Sequence, residues 1–177
     1  MAYTLDAIIA ERALISSLGD GLPDARAVEL GGRVVLLPLT ANAVEVLSPN
    51  RKWGRARWLL NGEAIPIPLV DILCRASAGG NVVYVEAEFF GGDGAQASMV
   101  WKDGRLVLGP VIDPPGFPRR DRVRDEPRPP LAELPINRAL RELGVRRAAG
   151  AMDEFETVGL GRHRSTEQWT DAARCLR

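Results

Sequence analysis

The chain has 177 residues, 46% of them apolar and 26% charged, with formal net charge zero. That length suits one domain with a core that needs no staples. The charge balance speaks against a nucleic-acid binder that relies on bulk electrostatics. Lys52 and Lys102 are the only lysines, so nearly all the cations are arginines, planar forks suited to carboxylates. Cys74 and Cys175 suggest idle cytosolic thiols rather than a metal cluster or a disulfide framework. No basic segment followed by an apolar run opens the chain, and no apolar run reaches membrane-spanning length. A soluble, cytoplasmic protein is expected.

In chain order, Thr4 to Leu18 reads as an amphipathic helix. Thr4 is its cap, Leu5, Ile8, Ile9, Ala13, Leu14 and Ile15 form its apolar stripe, and Gly19-Asp20-Gly21 is its stop. Ala25–Leu30 and Arg33–Leu37 around Gly31-Gly32 predict a hairpin ended by Pro38. Thr40 caps a short helix to Leu47 with Ala43, Val44 and Leu47 inward. Ser48 to Arg57 is a basic loop. Arg51, Lys52, Arg55 and Arg57 alternate with Trp53 and Trp58, a pattern compatible with stacking on single strands, but a solvated loop feeding a buried Trp58-Leu59-Leu60 is preferred. A helix from Leu69 to Ser77 should bury Leu69, Ile72, Leu73 and Ala76.

Asn81 to Pro110 is the stretch around which the fold is expected to form. Val82–Phe90, Ala95–Lys102 and Arg105–Gly109 are rich in β-branched and aromatic residues, separated by Gly91-Gly92-Asp93-Gly94 and Asp103-Gly104. The fold class that follows is α+β. An antiparallel sheet is built around a central meander at 82–110, helices pack on it, and 1–177 forms a single domain. A four-residue Gly91–Gly94 loop would set Glu88 opposite Ala97, Glu86 opposite Met99 and Tyr84 opposite Trp101. Both carboxylates would then share a face with Ala97, Met99 and Trp101.

Residues 111–131 form a Pro/Arg-rich exposed loop, with prolines at 114, 115, 118, 127, 129 and 130. Helix returns over Leu134–Leu143, with Ile136, Leu140 and Leu143 inward and Gly144 as its stop. Val145–Ala151 is a loop. Ser165-Thr-Glu-Gln168 matches a capping box, predicting a final helix from Thr166 to Leu176. Arg162-His163-Arg164 then precede a helix N-terminus, where they would either dock on Glu86 or Glu88 or bind an anion.

His163 is the only histidine, so histidine-dependent chemistry must use it. The nucleophile candidates Ser98, Ser165, Cys74 and Cys175 lie in no recognisable elbow or helix-start motif. An acidic magnesium set from Glu86, Glu88, Asp93 and Asp153 lacks diagnostic spacing, so no metal or cofactor is expected. The catalytic candidates are Glu86, Glu88 and His163. The binding candidates are Glu86, Glu88, Asp93, Arg162, His163 and Arg164.

The stretches YVEAEFFGGDGAQASMVW, INRALRELGV and DEFETVGLGRHRSTEQW together resemble small bacterial proteins, some of which look like the immunity proteins that neutralise polymorphic toxins. The resemblance covers roughly Val82–Trp101 and the last forty residues, and it carries over no site residue. It implies a protein whose partner is a toxin. The lack of a complete catalytic motif, with an exposed charged loop and carboxylates suited to a basic partner, points to a non-enzymatic binder, and the charge balance and short apolar runs point away from nucleic acid and membrane. A small hydrolase or transferase using Glu86, Glu88 and His163 in one cleft is the alternative. A structural component of a phage-like particle is a third.

Overall fold

The computed structural model describes residues 2–19, 22, 26–49, 57–91, 93–114 and 129–175. Among these residues six strands form one antiparallel sheet: β1 (Tyr3–Glu11), β2 (Val28–Glu29), β3 (Val34–Pro38), β4 (Val82–Phe90), β5 (Asp93–Lys102) and β6 (Arg105–Asp113). Their order across the sheet is β2-β3-β1-β4-β5-β6. Helices cover both faces, which confirms the α+β class. One face carries α1 (Arg12–Gly19), α2 (Ala41–Leu47), α3 (Ile67–Ala76) and a 3₁₀ turn at Leu59–Asn61. The other carries α4 (Pro135–Glu142), α5 (Glu154–Val158) and α6 (Thr166–Cys175). No helix among the described residues is long and apolar enough to cross a membrane.

The meander forms, β4 through β6, and β4 sits in the middle of the sheet, but β6 runs on to Asp113, so residues 111–113, expected in the loop, pair with β5 instead. The β4–β5 register differs from the expected one by two residues. Glu88 faces Ala95, Glu86 faces Ala97 and Tyr84 faces Met99. The reason is the turn: Asp93 already pairs with Phe90, so the connection is Gly91-Gly92 alone rather than four residues. A slip of two preserves side-chain parity. Glu86 and Glu88 therefore still share a face with Ala97, Met99 and Trp101.

The N-terminal helix expected over Thr4–Leu18 is overturned. Tyr3–Glu11 is a strand between β3 and β4, and only Arg12 onward is helical. Leu5, Ala7 and Ile9 are buried on one face while Ile8 and Ala10 are buried on the other. A strand covered on both sides loses its polar/apolar alternation, and a short apolar run then fits a helical stripe equally well. Helix α2 agrees in detail: the Thr40 side chain accepts from Ala43 N, and Ala43, Val44 and Leu47 are buried. Helix α3 buries Leu69, Ile72, Leu73 and Ala76, as its spacing requires. Helix α4 buries Ile136 and Leu140, with Leu143 partly covered. Most of the basic loop, including Arg51, Lys52, Trp53 and Arg55, lies outside the described residues, as do 115–128 of the Pro/Arg-rich segment and the side chain of Cys175. Cys74 is a free, half-buried thiol.

The predicted hairpin around Gly31-Gly32 is present, but β2 is only two residues long. Gly31 approaches α5 closely: its N–H donates to Val158 O at 2.9 Å. A Cβ there would lie 2.7 Å from the Thr157 carbonyl oxygen and 3.1 Å from Val158 Cα. Backbone cannot swing aside as a side chain would. Gly31→Ala should therefore cost about 1–3 kcal/mol, readable as a lower urea midpoint at unchanged m-value.

The C-terminal segment completes the sheet beside β1. Strand β3 pairs with β1 only from Ala7 onward, and Leu39 N just beyond it donates to Asp6 O at 2.9 Å, leaving the stretch from Tyr3 to Leu5 without that neighbour. Thr4 N donates to Arg164 O at 2.9 Å, and Asp6 N donates to Thr166 Oγ1 at 2.9 Å. Tyr3 OH donates to Leu160 O at 3.1 Å. Burial pushes the Tyr3 phenol well above its usual range, partly opposed by Arg164.

Candidate functional site

The chemistry-bearing residues gather where β1 and β4 lie side by side. Asp6 is directly opposite Glu86, and Thr4 opposite Glu88. Side-chain alternation puts Asp6, Glu86 and Glu88 on one face, under the chain that enters the Leu59–Asn61 turn.

Glu86 is completely buried. Its Oε1 accepts from Trp58 N at 2.7 Å and Leu59 N at 2.9 Å, its Oε2 accepts from Leu60 N at 2.8 Å, and the Tyr84 hydroxyl also donates to Oε1. The first backbone N–H groups of a helical turn have no partners of their own, and a carboxylate there is both acceptor and counter-charge. Burial raises the Glu86 carboxyl above its usual range, while the Tyr84 hydroxyl and the three amides pull it back. Glu86 is thus an internal cap that pins Trp58–Leu60 to the sheet.

Arg57 enters the same space and is itself buried. Its Nη1 pairs with Glu88 Oε2, and its Nε lies 3.9 Å from Asp6 Oδ2. Burial works against the guanidinium, but the Glu88 hydrogen bond and the charges of Asp6, Glu88 and Glu86 outweigh it and raise its pKa. The Glu88 side chain is 45% exposed, so its half of the pair meets water. Asp6 is 5% exposed, and its Oδ1 has no hydrogen-bond partner among the described residues. Burial first, then Glu86, with Glu167 and Glu88 adding, pushes its carboxyl up to about 8 against the pull of Arg57.

His163 does not join this group. It lies edge-on to Trp169, ring centroids 4.5 Å apart, and Trp169 belongs to the apolar cluster on the opposite face of the sheet. Arg162 stacks over the same indole at 5.3 Å and donates to Glu29 O at 2.6 Å and Gly159 O at 3.1 Å. Arg164 N donates to Gln168 Oε1 at 2.7 Å, and Gln168 N donates to Ser165 Oγ at 3.3 Å, so the predicted capping box forms one residue early on its return arm. The expected docking of Arg162-His163-Arg164 on Glu86 or Glu88 does not occur, because the Trp58–Leu60 amides and Arg57 occupy those carboxylates. Asp93 sits exposed at the far end of the β4–β5 hairpin. A cleft of about 230 Å³ lies between α2 and α6, lined by residues that include Thr40, Asn42, Thr166, Glu167 and Asp171. None of Glu86, Glu88 and His163 lines it. Among the described residues no three His, Cys, Asp or Glu side chains are placed to hold a metal ion.

Two members of the cluster are not site candidates on sequence alone: Asp6 falls in the stretch that reads as a helix, and Arg57 closes the one that reads as a basic loop. A signal for α5 was legible: Asp153 followed three residues later by Glu156 is a capping pattern, and Asp153 Oδ1 accepts from Glu156 N at 2.8 Å. No family model, curated protein or solved structure matches the chain.

Proposed function

We propose that this chain is a non-enzymatic, cytoplasmic protein-binding protein, specifically an immunity protein that neutralises a bacterial toxin. One observation carries the reading. Phe90, at the tip of the β4–β5 hairpin, is 76% exposed, and it faces the exposed Asp93 across the strand pair. Glu88 lies two residues back on the same face. An exposed aromatic ring flanked by carboxylates is an anchor suited to a partner surface that is apolar at its centre and basic at its rim. The resemblance to immunity proteins points to a toxin as that partner. The internal commitment of Glu86 also supports binding over catalysis, since a carboxylate sealed under three amides meets no substrate.

The test is calorimetric titration of the chain against the product of the adjacent gene. A stoichiometric complex is expected, weakened about tenfold or more by Phe90→Ser with Asp93→Lys. Absence of a complex, or affinity indifferent to those two changes, contradicts the proposal. So does catalytic turnover abolished by His163→Ala in a folded protein.

A further inference from the structure

Asp6 and Glu86 are a buried cross-strand pair of carboxyl groups served by one guanidinium. Glu86 is saturated by its four donors. Among the described residues Arg57 has at least these two carboxyl groups within reach: half-exposed Glu88, which it now holds, and buried Asp6 at 3.9 Å. We propose that Arg57 is a two-position latch, which leaves Glu88 for Asp6 when Asp6 loses its proton to water.

The physics of the exchange lies in the surroundings of the two partners. While Asp6 is protonated it offers Arg57 no charge, and the Glu88 carboxylate wins. Once Asp6 is ionised, two opposed carboxylates face each other across β1 and β4, and like charges directly opposite are unfavourable. Arg57, whose Nε already lies 3.9 Å from Asp6 Oδ2, can relieve that repulsion by closing on Asp6. An attraction in a dry interior also exceeds the same attraction beside water, where Glu88 lies. The charged and titratable groups facing Asp6 are Glu86 and Glu88 from β4, Arg57 from the turn, and Glu167 from α6. All but Arg57 hold the proton on. Asp6 titrates at about 8, close enough to neutral for the latch to work in a cell. In the alternate position Glu88 is released to solvent beside the hairpin tip, so the exchange alters the charge that this surface presents.

The test is a carbon-detected magnetic-resonance titration of the full chain from about pH 6 to pH 10, following Arg57 Cζ and Glu88 Cδ. Both signals should move together with a single midpoint near 8. Asp6→Asn should abolish both movements. Glu167→Gln, a change at an exposed position, should leave the transition intact but bring its midpoint down by removing one like charge. Movement of Glu88 alone, of neither signal, or of both in Asp6→Asn overturns the latch, as does a Glu167→Gln midpoint that stays where it was.

Discussion

Glu86→Ala should be the most damaging single substitution in the cluster. It strips the acceptor from three buried amides, those of Trp58, Leu59 and Leu60, and from the Tyr84 hydroxyl. Each orphaned buried donor costs about 1–3 kcal/mol, so the loss should be on the order of 5 kcal/mol. That is comparable with the whole stability of many domains. Glu86→Gln separates charge from acceptor count. It keeps one oxygen but turns an NH₂ toward backbone donors, so it should recover only part of the loss. Urea denaturation measures both variants, and hydrogen exchange at Trp58–Leu60 should accelerate in each. If Gln matches wild type, the site requires an acceptor of either kind and not a carboxylate.

Asp6→Asn should act in the opposite direction. Its carboxyl holds a proton more tightly in the folded chain, up to about 8, than an aspartate does when unfolded. Between about pH 4 and pH 8 the unfolded state has already released a proton that the folded state keeps, so stability falls as pH rises through that window. Asparagine has no such proton to lose. The variant should show little gain near pH 4 and a gain on the order of a few kcal/mol near pH 8, measured as urea midpoints across that range. A flat difference between the two proteins would show that Asp6 does not titrate in the folded chain. The sign is the reverse of an ordinary salt-bridged aspartate, whose partnership is lost as acid is added.

What the sequence revealed of this molecule depended on whether a residue faces one environment or two. Ala43, Val44 and Leu47, or Leu69, Ile72, Leu73 and Ala76, lie on helices with one wet and one dry side, and their spacing named the buried positions correctly. Tyr3–Glu11 has two dry sides, so its pattern carried no period to read. The Gly91-Gly92 turn was visible as a turn, but its length depends on whether Asp93 and Gly94 pair, which neither residue discloses. The candidate site was legible only in its parity. Glu86 and Glu88 were placed on one face, yet their partners come from a loop about thirty residues upstream. Arg57 gives no sign in sequence of being buried. His163, the only histidine in the sequence, is the natural acid–base partner for the carboxylates on sequence alone, whereas in the fold it packs edge-on to Trp169.

The seam between β1 and residues 164–166 has a consequence for how the molecule is made. The Asp6 amide and its acceptor Thr166 are 160 residues apart, and the Tyr3 hydroxyl and Leu160 are 157 apart. Contacts so distant along the chain bear a large loop-closure entropy and form late. On a ribosome the first residues of β1 must therefore wait for this contact, paired on one side only, until residues 160–166 have been synthesised. Its first few residues present a bare strand margin throughout that interval, the period when nascent chains are most open to wrong pairing.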